Sequence, residues 1–165
     1  MIGKSPISRG AFRVRLLKPE EGRLALPLAQ LLYPGLTEDA WLAYSDGRER
    51  RNPRRLLAVC NPNGYLQSLC TLTDGFDLRC GRSLDVDDLV VASFVDTKSV
   101  AQVLLNGIEE IARAGDYREV RITLADSNLP SRQVIVDALN SNGHVRTMAR
   151  FAKPLMQPFR PVVGP

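Results

Sequence analysis

Residues 84–112 read LDVDDLVVASFVDTKSVAQVLLNGIEEIA, and a change of period inside this stretch decides the fold. Leu84 to Phe94 is a long apolar strand whose Leu89-Val90-Val91-Ala92 centre predicts burial on both faces. From Val100 the period becomes 3.6. Val100, Val103, Leu104, Ile108, Ile111 and Ala112 fall on one stripe of a helix that ends at Ala114-Gly115. Glu119 to Leu124 is a further strand, so the stretch opens a strand–helix–strand unit with a right-handed crossover.

Upstream of this unit, Leu56 to Cys60 and Tyr65 to Thr73 are strand-like, which makes an antiparallel meander with the long strand. Asn63-Gly64 between them predicts a type I′ hairpin turn, and Asp74-Gly75 is expected to turn or bulge the second strand. Phe12 to Leu16 alternates apolar and basic residues as a half-buried strand does. Leu24, Leu28, Leu31 and Leu32 recur at helical spacing, in a helix that Pro27 and Pro34 keep short or kinked. Thr37 is the expected N-cap of a second short helix carrying Trp41, Leu42 and Tyr44.

Downstream, Ser131 is placed to cap a last helix bearing Val134, Ile135, Ala138 and Leu139, which stops at Asn142-Gly143. A final strand is expected near residues 146–153. The order β-α-α-β-β-β-α-β-α-β defines an α+β domain with a mixed, mostly antiparallel sheet and helices on both faces. Residues 1–11 form a leader, 12–153 the single domain and 154–165 a proline-rich tail.

Composition excludes several classes. With 165 residues, 44% hydrophobic and 24% charged, the chain is neither wholly disordered nor fibrous. It is long enough to bury roughly 70% of its unfolded surface without a disulfide or metal staple. No apolar run approaches the roughly 18 residues of a membrane span, and the N-terminus does not read as a secretory signal. The three cysteines Cys60, Cys70 and Cys80 form no CxxC pair, which fits a reducing cytoplasm. A single histidine, His144, argues against a multi-histidine metal site. The net charge of +4 is local: Arg48, Arg50, Arg51, Arg54 and Arg55 crowd one loop, suited to phosphates or an acidic partner or to a merely solvated surface. Nucleic acid is disfavoured, because the loop lacks the interleaved aromatics of a stacking platform.

Over residues 12–153 this order resembles that of the GNAT superfamily, the acyl-CoA-dependent N-acetyltransferases. Three local matches carry the resemblance: the long strand leading into an amphipathic helix, Asn128 after the Val120–Leu124 strand, and the Leu139 to His144 ending, which is similar to the family's Tyr-x-x-x-Gly-Phe. The resemblance implies an N-acyltransferase that moves an acyl group from acetyl-CoA or another acyl-CoA to an amine. The acceptor would be a small molecule or a protein, an anionic one if the arginine loop guards the site. The rival reading is a catalytically weak module of the same fold that binds CoA or a protein partner. The sequence leaves the oligomeric state open, a dimer included.

The family's pyrophosphate loop, Gln/Arg-x-x-Gly-x-Gly/Ala, falls on Asp96-Thr97-Lys98-Ser99-Val100-Ala101. There, backbone N–H groups and a helix N-terminus attract the phosphates. Lys98, Ser99, Val100 and Ala101 are the implied contacts, although Asp96 puts an acid beside the phosphates. Thr97 or Ser99 acting only as a helix cap is the alternative. Val91 and Ser93 are implied on the pantetheine arm, Asn128 at the cofactor, and Trp41 and Tyr44 on the acceptor, with a place in the core as the equal alternative for these two. Asp87 and Asp88, at the start of the long strand, stand where a family base sits, and strand-edge surface charge is their plain alternative. Leu139 stands where many relatives place a tyrosine acid and has no proton to give. His144 is read as a cap or surface residue and Cys70 as core.

Overall fold

The computed structural model describes residues 12–46, 53–93 and 96–147. Five strands form one sheet in the order β1-β2-β3-β4-β5: β1 Arg13–Leu16, β2 Arg55–Cys60, β3 Leu66–Asp77, β4 Gly81–Val91 and β5 Glu119–Ile122. Neighbours are antiparallel except β4 and β5, which are parallel. The helices are α1 Gly22–Leu32, α2 Glu38–Ser45, α3 Thr97–Ala114 and α4 Ser131–Ser141. This is the expected α+β order as far as the last helix. The final strand expected near 146–153 falls largely outside the described residues.

Alternation along each strand divides the core in two. On β2, Leu57 and Val59 face the α3 and α4 side with Cys70, Leu72, Leu84 and Val86, while Leu56 and Ala58 face α1 and α2 with Leu69 and Val90. Helix α3 contributes Val100, Leu104, Ile108 and Ala112 to the first cluster, all essentially buried as their spacing requires. In α1 the expected stripe is rotated. Ala25, Leu28 and Ala29 are buried, whereas Leu24 and Leu31 are exposed, because the small alanines let the helix lie close to the sheet. Pro27 lies inside α1 on its exposed side.

Both expected turns differ from the sequence reading. In the 61–65 loop only Gly64 has a positive φ, 85°. The Asn61 carbonyl accepts from the Gly64 amide, and the Asn61 side chain accepts from the amides of Asn63 and Tyr65. The side chain of Asn61 organises the loop in place of a type I′ turn. Asp74 and Gly75 neither turn nor bulge: β3 runs through them to Asp77, in register with Leu84 and Ser83 on β4. Glycine is needed at 75 for another reason. A Cβ there would lie 2.4–2.7 Å from the side chains of Asp85, Ser83 and Arg121, which cross over it.

Candidate functional site

The site begins with a break in the pleat. Leu69 pairs with Val90 and Thr71 with Asp87, so two steps on β3 answer three on β4. The extra residue makes a β-bulge, and Asp88 within it has a φ of 52°. Aspartate tolerates that conformation better than most residues. The bulge also resets alternation. Val86 and Leu89 both face the α3 side, and Val90 turns to the α1 and α2 side. Asp87 and Asp88 therefore sit in the second half of a strand that begins at Gly81, not at its start.

The Asp88 carboxylate is a hub for three elements. It accepts hydrogen bonds from the Tyr33 hydroxyl just after α1 (2.7 Å), the Tyr44 hydroxyl of α2 (2.5 Å) and the Thr71 hydroxyl of β3 (3.0 Å). Burial, reinforced by the Asp88 bond, pushes the phenols of Tyr33 and Tyr44 upward, so both stay protonated donors. Asp87 is half-buried and lies opposite Thr71. Tyr33 and Thr71 were not singled out from the sequence, since nothing local marks a residue that only long-range packing brings to a carboxylate.

Trp41 stands behind this hub. It is 2% exposed, its indole N–H donates to the Gly22 carbonyl (2.8 Å), and its ring stacks on Tyr44 at 5.8 Å. Of the two expected acceptor residues, Tyr44 is the half-buried one beside Asp88, and Trp41 supports it from the core.

Beyond the bulge a cleft opens. Strands β4 and β5 pair from Ser83–Glu119 to Val86–Ile122, and the last link is the Thr123 amide to the Val86 carbonyl (2.8 Å). Past that point the two chains part. The gap is walled by Leu32, Leu89, Val90 and Leu124, with Ser127 and Arg132 as polar members. The Arg132 Nε is buried and has no hydrogen-bond partner among the described residues. Such a donor in a cleft is suited to a ligand carbonyl. Arg132 was not singled out from the sequence; Asn128, which the resemblance implies at the cofactor, is exposed and is not among the residues that wall this gap. Val91 is core on the α3 side. The Ser93 hydroxyl is buried and accepts from the Asp96 amide (3.2 Å), while its carbonyl accepts from the Thr97 hydroxyl (2.7 Å).

At the start of α3 the cap is Asp96, not Thr97 or Ser99. Its carboxylate accepts from the Ser99 amide (3.0 Å), and hydrogen bonds from Ser99 hold it below the usual carboxylate range. Lys98 and Ser99 are exposed, while Val100 and Ala101 are buried in the helix–sheet interface. At the far end of α4 the His144 amide donates to the Leu139 carbonyl (3.0 Å), and Gly143 takes a φ of 80°. That closes the helix as a Schellman ending, which accounts for the Gly-His pair. Cys70 is fully buried with its thiol pushed up by burial, as a core residue should be.

No protein-family model and no curated protein sequence matches the chain. Solved structures do match. An aminoglycoside N-acetyltransferase, AAC(6')-Iy, in complex with CoA is 15% identical, with a TM-score of 0.69 over 91% of this chain and 99% of that one. A glucosamine-6-phosphate N-acetyltransferase from Arabidopsis thaliana is 13% identical, with a TM-score of 0.63 over 89% of this chain and 100% of that one. A ribosomal-protein-alanine N-acetyltransferase from Brucella melitensis is 15% identical, with a TM-score of 0.64 over 90% and 99%. At such identities the likeness establishes the fold.

Proposed function

We propose that this chain, which has the fold of the GNAT acetyltransferases, moves an acetyl or other acyl group from acyl-CoA to an amine by direct attack. The observation that carries the reading is the Asp88 hub in the β4 bulge, directly before Leu89 and Val90 of the cleft wall. A carboxylate offers about four lone-pair positions, and the three hydroxyls leave one for an incoming ammonium. Asp88 then takes a proton from that ammonium, and the freed nitrogen lone pair forms the amide bond. Tyr33 and Tyr44 hold the carboxylate in place, and the apolar cleft walls keep water from the reacting carbonyl. Acyl-CoA supplies the activated carbonyl; its carbon–sulfur bond breaks as the amide bond forms, and CoA leaves as the thiol, its sulfur taking the second proton from the attacking nitrogen.

The residues fit one end of that substrate better than the other. Leu32, Leu89, Val90 and Leu124 give an apolar wall for an acyl-pantetheine arm, with the unpartnered Arg132 Nε as donor to it, although the gap between them is only about 10 Å³ and must widen to admit the arm. At the diphosphate end the Ser99 amide is already held by Asp96, so phosphate must displace a carboxylate. That specific feature favours the second reading, a weakly catalytic CoA- or partner-binding module, over full activity.

The acceptors named for the similar structures range from aminoglycosides to a phosphorylated amino sugar and a ribosomal protein, so none is carried over. The test is calorimetry with acetyl-CoA, followed by thiol release in the presence of a panel of primary amines. Binding with amine-dependent thiol release supports the enzyme. Binding without release supports the CoA-binding module, and absence of binding removes the enzyme and leaves only the partner-binding module.

A further inference from the structure

A second pocket, of about 180 Å³, is lined by Arg54, which stacks on the ring of Tyr44, the residue whose hydroxyl bonds Asp88. It is formed where the β1–α1 connection at Leu17, Lys18 and Pro19 meets the end of α2 at Ser45 and the residues leading into β2, Arg54 among them. Arg54 is half-buried, with its guanidinium carbon 3.9 Å above the Tyr44 ring and its Nη1 3.5 Å from the Tyr44 carbonyl. Neither Arg54 nor Lys18 is ion-paired with a carboxylate among the described residues. Glu21, three residues from Lys18, is taken by Arg15 at 2.8 Å and by the Lys18 amide at 2.9 Å. The other cation at the rim, Arg55, is bound to Asp74 and Tyr117. Two cations with no carboxylate partner among the described residues therefore line a largely apolar cavity, and one of them rests on the tyrosine whose hydroxyl bonds Asp88.

We infer that this pocket takes the anionic group of the acceptor, so that the acceptor class is a primary amine carrying a phosphate or carboxylate on a short spacer. The inference rests on the acyltransfer reading for the amine end only. In this arrangement the ammonium meets Asp88, Tyr44 forms the wall beside the spacer, and the anion meets Lys18 and Arg54. Arginine held flat over a ring presents its donor fork to such a group, and lysine adds a second charge. Arg48, Arg50 and Arg51 lie outside the described residues, and nothing here depends on them.

The experiment compares phosphoethanolamine with ethanolamine as acceptors in the full chain, by acetyl-CoA-dependent thiol release, and inorganic phosphate binding by calorimetry without any donor. Phosphoethanolamine should have the higher kcat/KM by about tenfold or more, a charge-assisted contact being worth at least that. In Lys18→Gln/Arg54→Gln the ratio should fall to near one and phosphate binding should be lost. Lys18 is exposed, so Lys18→Gln alone keeps the fold and should give an intermediate ratio. A ratio near one in the unmodified chain, or one unchanged in the double variant, overturns the inference and leaves the acyltransfer reading standing. If no amine is acetylated, that reading fails. Phosphate binding that is lost in the double variant then supports the pocket, and binding that is absent or unaltered overturns it.

Discussion

In the proposed acyl transfer Asp88 is the base, and its charge can be removed by a change of one side-chain atom. Asparagine accepts a positive φ and keeps one oxygen for Tyr44 and Thr71, while its NH2 meets the Tyr33 hydroxyl, which can turn to accept, so Asp88→Asn should fold. It loses the proton-accepting charge, and kcat for acyl transfer should fall by about 10²–10⁴-fold with little change in acyl-CoA affinity. Steady-state thiol release with calorimetry checks this, and an unchanged kcat would remove Asp88 from the mechanism. The place of this residue was partly legible. Leu84, Val86, Leu89 and Val91 share one face, and the step of three between Val86 and Leu89 is the mark of an extra residue in a period-2 strand. The hydroxyls of Tyr33 and Thr71 were not legible, because 55 and 17 residues separate them from Asp88.

Elements were more legible than their junctions. The strands and helices follow period, since burial on one or both faces dictates it, whereas the 61–65 loop and the run through Gly75 depend on side chains arriving from elsewhere. Helix α3 bears two tests. Its cap, Asp96, occupies the amide that a phosphate would use, and serine caps nearly as well without the charge. Asp96→Ser should thus leave stability nearly unchanged and tighten acetyl-CoA several-fold by calorimetry. Weaker binding would show that the carboxylate does not compete. In the middle of α3, Gly107 sits against Val14 of β1, and a Cβ there would lie 2.7 Å from a Val14 methyl. Alanine gains about 1 kcal/mol of helix propensity, but overpacking costs about 1–3 kcal/mol. Gly107→Ala should therefore lower the denaturation midpoint, and Val14→Ala in the same chain should recover part of the loss.

For the whole molecule, the sheet holds the two core layers, and the β1–α1 connection ties its edge to the helical layer. Glu21 makes that tie through the Arg15 guanidinium and the Lys18 amide, which bring its carboxyl from the ordinary 4.5 to about 2. A depressed carboxyl stabilises the folded chain fully above its unfolded value and loses that contribution as pH falls through the folded one. The contribution should therefore fade between about pH 4.5 and 2. Arg15→Gln should flatten the acid limb of the stability curve in that window, and chemical denaturation across pH reads it directly. No described helix is long and apolar enough to cross a membrane.

The three cysteines carry a practical consequence. Cys60 and Cys70 are buried in the sheet, Cys70 completely, and Cys80 is half-buried in the β3–β4 turn with its thiol pushed up by Glu119. Of the three, only Cys80 is within reach of a chromogenic thiol reagent in the folded chain, so a fixed background of one thiol, developed before substrate is added, leaves the further colour to report turnover. A burst of further colour on heating or in denaturant would count the hidden thiols and so serve as a built-in gauge of unfolding.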